Sequence, residues 1–227
     1  MTAYIYLHGF ASSPQSNKAQ YLGDRFTENK LKIKILDLNQ EDFSNLTLTR
    51  QIEQTIAAFP DDKTPITLIG SSFGALTAAW VAQKCDRVKS IVLLAPAFGF
   101  PQSWYSRLQP EQIKAWRESG LLSVYHYGAG QQIPLKYQFL EDAENYPLAG
   151  LTRCFPTLIL HGINDQVVPI KVSRDYASQH SQVKLIELDS DHGLNDSKEK
   201  IWQEIKDFLK LKTVRENGSS PITPTNN

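Results

Sequence analysis

An apolar run, Pro65-Ile66-Thr67-Leu68-Ile69, passes through Gly70-Ser71-Ser72-Phe73-Gly74 into Ala75-Leu76-Thr77-Ala78-Ala79-Trp80-Val81-Ala82, a stretch of helical composition. In order these are a buried strand, a tight turn and a helix, with a serine at the apex of the turn. So sharp a turn brings the chain against its neighbours at both flanks, where a Cβ would collide. That need explains Gly70 and Gly74, and it leaves the central residue strained with its side chain exposed. A G-x-S-x-G sequence in this strand-to-helix setting is one way of presenting a nucleophilic serine, and Ser72 is the candidate. The plainer alternative is a βα turn that happens to contain serine; the flanking strand and helix favour the chemical reading.

Strand and helix signals alternate along the rest of the chain. Strands are expected near 3 to 8, 32 to 37, 65 to 69, 89 to 95, 156 to 161 and 183 to 188. Helices are expected near 16 to 29, 47 to 59, 73 to 84, 171 to 180 and 195 to 210. Ser16 is a plausible N-cap for the first of them, and Asn195 or Asp196 for the last. Such βαβα alternation predicts an α/β fold with a mostly parallel sheet of about six strands and helices on both faces.

A serine hydroxyl is a weak nucleophile at neutral pH, so it needs a base and a group to orient that base. Asp165 follows the expected strand Pro156-Thr157-Leu158-Ile159-Leu160, and His192 follows Val183-Lys184-Leu185-Ile186-Glu187-Leu188. Both therefore fall on loops beyond the C-terminal ends of strands, where open parallel sheets place their ligands. The order Ser72, Asp165, His192 is that of α/β-hydrolase triads. Asp189 and Asp191 are alternative acids, but neighbours along one loop seldom point at each other's ring edge. His8 and His161 end strands in His-Gly pairs, where an imidazole more often bonds loop backbone; His126 and His180 read as lid and helix-surface residues.

The N-terminal run Tyr4-Ile5-Tyr6-Leu7-His8-Gly9-Phe10-Ala11-Ser12-Ser13-Pro14, followed by Ser16 and Lys18-Ala19, is more specific than the triad signals. Through it the chain resembles the α/β-hydrolase superfamily, and within that the small bacterial YqiA-type serine esterases, over residues 3 to 210. The resemblance implies the α/β-hydrolase fold and serine hydrolase chemistry, without a particular substrate. An acyl-transfer site also needs two donors for the developing oxyanion. The superfamily-like choices are the backbone N–H groups of Phe73, at a helix start, and of Phe10, after the first strand. The expected activity is hydrolysis of carboxylic esters of short to medium acyl chains through an acyl-enzyme on Ser72, with no metal or organic cofactor. Thioester hydrolysis, acyl transfer, or a non-catalytic binding protein on the same scaffold are the alternatives.

Lysine plus arginine equals aspartate plus glutamate, at 24 each, so charge makes no case for nucleic acid or an anionic membrane as partner. A small-molecule ester fits better. The first strand occupies the start of the chain and no apolar run approaches the length of a membrane span, so a cytoplasmic protein is expected. Cys85 and Cys154 lack metal or redox spacing and read as free thiols.

About 60 residues separate the strand ending near Ala95 from the one starting near Pro156, too many for a plain connection. A hydrolase domain over 1 to 212, with a helical cap insertion at about 97 to 152, accounts for them. The insertion contains Phe98, Phe100, Trp104, Tyr105, Trp116, Tyr125, Tyr127, Tyr137, Phe139 and Tyr146. Most should form the cap's own core, with two or three facing substrate. Residues 213 to 227 read as a disordered tail.

Overall fold

The computed structural model of the protein describes residues 2–211. The tail expected at 213 to 227 lies outside the described residues. Six strands form one sheet: β1 (Ala3–Leu7), β2 (Ile33–Leu36), β3 (Ile66–Ser71), β4 (Val88–Leu94), β7 (Thr157–Gly162) and β8 (Val183–Leu188). Their spatial order is β2-β1-β3-β4-β7-β8, and every neighbouring pair is parallel. The chain leaves β1 toward β2 and returns to the other side of β1 as β3, so the order reverses between β1 and β3. In open α/β sheets the crevice at such a reversal holds the ligand.

Alternation along the strands divides the core. Ile5, Leu7, Leu68, Ile91, Leu93 and Ile159 face one layer, while Tyr6, Ile69, Val92, Leu94, Leu158 and Leu160 face the other. The second layer is closed by α1 (Asn17–Glu28) and α8 (Lys198–Leu209), through Leu22, Phe26, Trp202 and Ile205. On the first lie α2 (Leu48–Ala57), α3 (Phe73–Lys84) and α7 (Lys171–Gln179). The third of the chain's helices, α3, is buried from Phe73 to Ala82, which is why its sequence is apolar all round and not in a stripe. α8 starts later than the sequence suggests, with Ser197 at its N-cap; the Asp196 carboxylate instead accepts from the Ser190 hydroxyl. Ser16 does precede α1, yet its side chain makes no capping hydrogen bond.

The insertion between β4 and β7 is helical in part, with α4 (Gln102–Arg107), α5 (Pro110–Ser119) and α6 (Gln138–Ala143). It also holds an antiparallel ribbon of β5 (Leu121–His126) and β6 (Gln131–Lys136), which helical expectations for the cap did not include. A two-stranded ribbon is marginal alone and needs packing. Here the ring of His126, in the insertion as expected and buried, meets Phe43 edge-on at 4.7 Å, and Trp116 donates from Nε1 to the Leu135 carbonyl at 3.0 Å. His180, expected on a helix surface, is half-buried and stacks on Tyr176 at 4.1 Å. Cys85 and Cys154 are unpaired. No described helix is long and apolar enough to cross a membrane.

Candidate active site

β3 ends at Ser71 and α3 begins at Phe73, so Ser72 alone carries the reversal, at φ 53° and ψ −114°. An L-residue rarely adopts that conformation, and it persists only where neighbours hold it. They do so here by backbone hydrogen bonds: Ser72 N–H donates to Leu94 O at 2.8 Å, and its carbonyl accepts from Ala75 at 3.0 Å and Ala97 at 3.2 Å. A Cβ on Gly74 would be driven into the carbonyl oxygens of Leu7 and His8, and one on Gly70 would reach Ala75 N at 2.7 Å. Backbone on all sides leaves no side chain to yield. Gly74→Ala is therefore expected to cost about 3 kcal/mol or more, a fall of roughly 10 °C in Tm, which thermal unfolding reads directly.

Asp165 lies on the loop after β7 and His192 on the loop after β8, at the same edge as Ser72. The structure joins the three. Asp165 Oδ2 accepts from His192 Nδ1–H at 2.7 Å, and His192 Nε2 stands 3.0 Å from Ser72 Oγ. Because an ionised carboxylate only accepts, the proton is assigned to Nδ1, which leaves Nε2 to accept from the serine hydroxyl. Asp165 is buried and fully hydrogen-bonded: Oδ1 accepts from the amides of Val167 at 2.8 Å and Val168 at 2.7 Å. Burial alone would raise its carboxyl, but hydrogen bonds from His161, His192 and the Val168 amide overcome this and hold it well below the usual carboxylate range.

His161 is part of that support, beyond the backbone role expected of it. Its Nε2–H is shared between Asp165 Oδ2 at 3.1 Å and Val168 O at 2.9 Å, and its Nδ1 accepts from the Ser173 hydroxyl at 2.7 Å. The four-residue spacing of His161 and Asp165 around one turn was the available signal. Asp189 and Asp191 are directed elsewhere, the first to Asn164 Nδ2 and the second to the amides of Gly193 and Leu194.

The loop after β1 packs on the turn, such that a Cβ at Gly9 would sit 3.4 Å from Ser71 O and 3.5 Å from Ser72 Cβ. His8 holds this loop. Its Nδ1–H donates to Gly9 O at 2.9 Å and its Nε2 accepts from Leu38 N–H at 3.0 Å, a neutral arrangement consistent with burial lowering its pKa. Among the described residues the amides of Phe10 and Phe73 donate to no backbone or side-chain acceptor. Phe73 heads α3, where the helix dipole adds positive potential.

Ser72 and His192 open into a cavity of about 540 Å³. Its walls are largely apolar: Phe10 and Phe73, then Phe100, Trp104, Leu122 and Phe139 from the insertion. Tyr127 stands at the rim, so four of the insertion's aromatics reach the cavity. Of the rest, Trp116 packs on Tyr137 within the insertion at 5.5 Å, whereas Phe98 packs on Tyr176 at 4.5 Å and Tyr146 on Trp80 at 5.0 Å, both outside it, and Tyr125 is exposed. Among the described residues no group of three or more His, Cys, Asp and Glu side chains is placed to hold a metal. The arrangement suits proton transfer from a hydroxyl to an imidazole beside two unused amide donors.

Comparison with known proteins agrees with this architecture. A model of the uncharacterised protein family UPF0227 matches residues 3–210, the span of the resemblance described above. No curated protein matches the sequence. Among solved structures, Est1E from Butyrivibrio proteoclasticus with ferulic acid bound superposes with a TM-score of 0.78 at 21% identity, covering 92% of this chain and 88% of Est1E. Alpha/beta hydrolase domain-containing protein 10 from mouse gives 0.75 at 20% identity, over 92% of this chain and 89% of its own. A pyrethroid hydrolase from Sphingobium faniae JZ-2 gives 0.65 at 16% identity, over 92% and 97%. At these identities the likeness is one of fold.

Proposed function

The chain belongs to the uncharacterised protein family UPF0227 and has the α/β-hydrolase fold, and from that premise we propose that it is a serine hydrolase cleaving carboxylic esters of short to medium acyl chains. The observation that carries the reading is the hydrogen-bonded line from Asp165 through His192 to the strained Ser72, at 2.7 and 3.0 Å. Ser72 Oγ attacks the ester carbonyl carbon as His192 Nε2 takes the hydroxyl proton. The carbonyl oxygen becomes negative and is held by the amides of Phe10 and Phe73. His192 then passes its proton to the departing alkoxide, leaving the acyl group on Ser72. Water attacks that acyl-enzyme with His192 again as base, and the acid leaves. Asp165 keeps the imidazole in the accepting tautomer and stabilises the imidazolium.

An apolar cavity of limited size supports short to medium acyl groups. Each buried methylene is worth about 0.8 kcal/mol, or roughly fourfold in kcat/KM. Over a series of p-nitrophenyl esters, kcat/KM is expected to climb with chain length until the cavity is full and then to drop. Est1E was solved with ferulic acid, so an aryl-acid ester belongs in the same series. Matched acyl thioesters complete it, and a fluorophosphonate is expected to label Ser72. Greater turnover of the thioesters would reassign the enzyme; absence of labelling and turnover would favour a binding protein; a preference for emulsified long chains would overturn the enclosed acyl site.

A further inference from the structure

Ser72, His192, Phe10 and Tyr127 also border a second cavity, of about 490 Å³, with walls of a different chemistry. It is lined by Tyr6, Ser12, Ser16, Lys18, Ser71 and Asn195, and the mechanism above uses none of these side chains. Ser12, Ser16 and Lys18 come from the N-terminal run that distinguishes this sequence most.

Three features of the cavity are unmatched within the protein. Tyr6 Oη is fully buried and has no hydrogen-bond partner among the described residues, with the Ser71 hydroxyl beside it but outside bonding geometry. Burial holds that phenol well above its usual range, so it remains an O–H donor. A buried hydroxyl left unpaired is costly, and a bound acceptor would relieve the cost. Lys18 Nζ donates to Gly193 O at 2.6 Å, yet among the described residues no carboxylate lies within ion-pair distance of it. Burial pushes the ammonium down to about 8, against the more distant attraction of Asp191 and Asp165. Finally, the twelve-residue α1 opens here with an uncapped first turn, since the Ser16 side chain makes no capping bond. Apart from the one bond from Lys18 to Gly193 O, the ammonium, the buried phenol, the serine hydroxyls and the helix N-terminus are donors with no acceptor among the described residues.

We propose that this cavity is a subsite for an anionic oxygen group, carboxylate or phosphate, on the alcohol portion of the ester, so that the substrate class is acyl esters of acidic alcohols. The proposal rests on the serine esterase reading, which puts the acyl chain in the apolar cavity and sends the alcohol past Ser72 into the polar one.

The test uses three butyrate esters, of 4-hydroxyphenylacetic acid, of its primary amide and of 4-hydroxybenzyl phosphate. The full-length protein is expected to favour at least one anionic ester over the amide by about tenfold in kcat/KM. The more favoured anion tells carboxylate from phosphate. In Lys18→Met that ratio is expected to collapse toward one. Tyr6→Phe guards against a folding artefact, because removing an unpaired hydroxyl leaves Tm unchanged or higher while lowering the ratio. Calorimetric binding of the intact esters to Ser72→Ala reads the same preference without turnover. If wild type hydrolyses none of the esters, the esterase reading fails, and this binding comparison still decides the subsite. Equal handling of charged and neutral esters overturns the subsite, as does a Lys18→Met variant that weakens all three by one factor. The latter outcome would leave Lys18 only a strut for the Gly193 carbonyl.

Discussion

Ser72→Ala is expected to lower ester turnover by about 10⁶-fold and to abolish fluorophosphonate labelling, with the fold intact. Among the described residues the substitution removes the only hydroxyl within hydrogen-bonding distance of His192 Nε2, 3.0 Å away. It removes little else. The bonds that hold the strained turn run through the backbone of residue 72 to Leu94, Ala75 and Ala97, and alanine keeps them. Alanine also meets the same backbone strain at φ 53°, so Tm is expected to change little. The phenylalanine amides and both cavities survive the change, so the loss measures covalent catalysis. Steady-state kinetics and mass spectrometry of the labelled wild type check it; an adduct on Ser71, Ser12 or Ser13 would displace Ser72 from its role.

Asp165→Asn is expected to cost about 10⁴-fold in kcat, the size of effect seen when a triad acid becomes an amide. The surroundings explain why so small a change matters. Val167 and Val168 direct their N–H groups at Oδ1, so the asparagine oxygen must stay there and the NH₂ must take the place of Oδ2. That NH₂ then faces His192 Nδ1, which has to accept, and the ring proton moves to Nε2. Nε2–H points at Ser72 Oγ and can no longer take its proton. The same NH₂ confronts Nε2–H of His161, so stability falls too. Because the native carboxyl is held well below its usual range, its stabilising share is complete above the ordinary carboxylate range and is lost as pH drops toward the folded value. The Tm gap between wild type and Asp165→Asn should therefore narrow in acid. Asp165 stays ionised throughout the working range, so a change of kcat/KM with pH there does not come from its protonation. Asp189→Asn and Asp191→Asn are expected to keep most activity. Near wild-type rates in Asp165→Asn, with the loss in one of those variants, would move the acid's role.

The ribbon in the cap was not legible in its residues. β6 reads Gln131-Gln132-Ile133-Pro134-Leu135-Lys136, and a proline amid glutamines argues against a strand. It is tolerated because a two-stranded sheet is all edge, and the ribbon is held by contacts from elsewhere, Phe43 on His126 and Trp116 on the Leu135 carbonyl. The central strands β1, β3, β4 and β7, by contrast, were written locally as largely apolar runs ending in turn residues, because both of their faces are covered, whereas the edge strands β2 and β8 carry Lys34, Lys184 and Glu187 on their exposed positions.

A similar division runs through the site. Sequence alone determined that Ser72 sits at the apex of a glycine-flanked turn and that Asp165 and His192 follow strands, since these depend on near neighbours along the chain. Tertiary structure alone decided which carboxylate reaches the imidazole, because that choice depends on β7 and β8 lying side by side and on loop amides turning Asp191 away. It also decided that His161 would back Asp165. Lys18 met Gly193, 175 positions away, only once α1 and the loop before α8 had packed on one face of the sheet. Periodicity carries the forces between residues a few positions apart; contacts across the chain follow from strand order and from the shape of loops, to which no local pattern is tied.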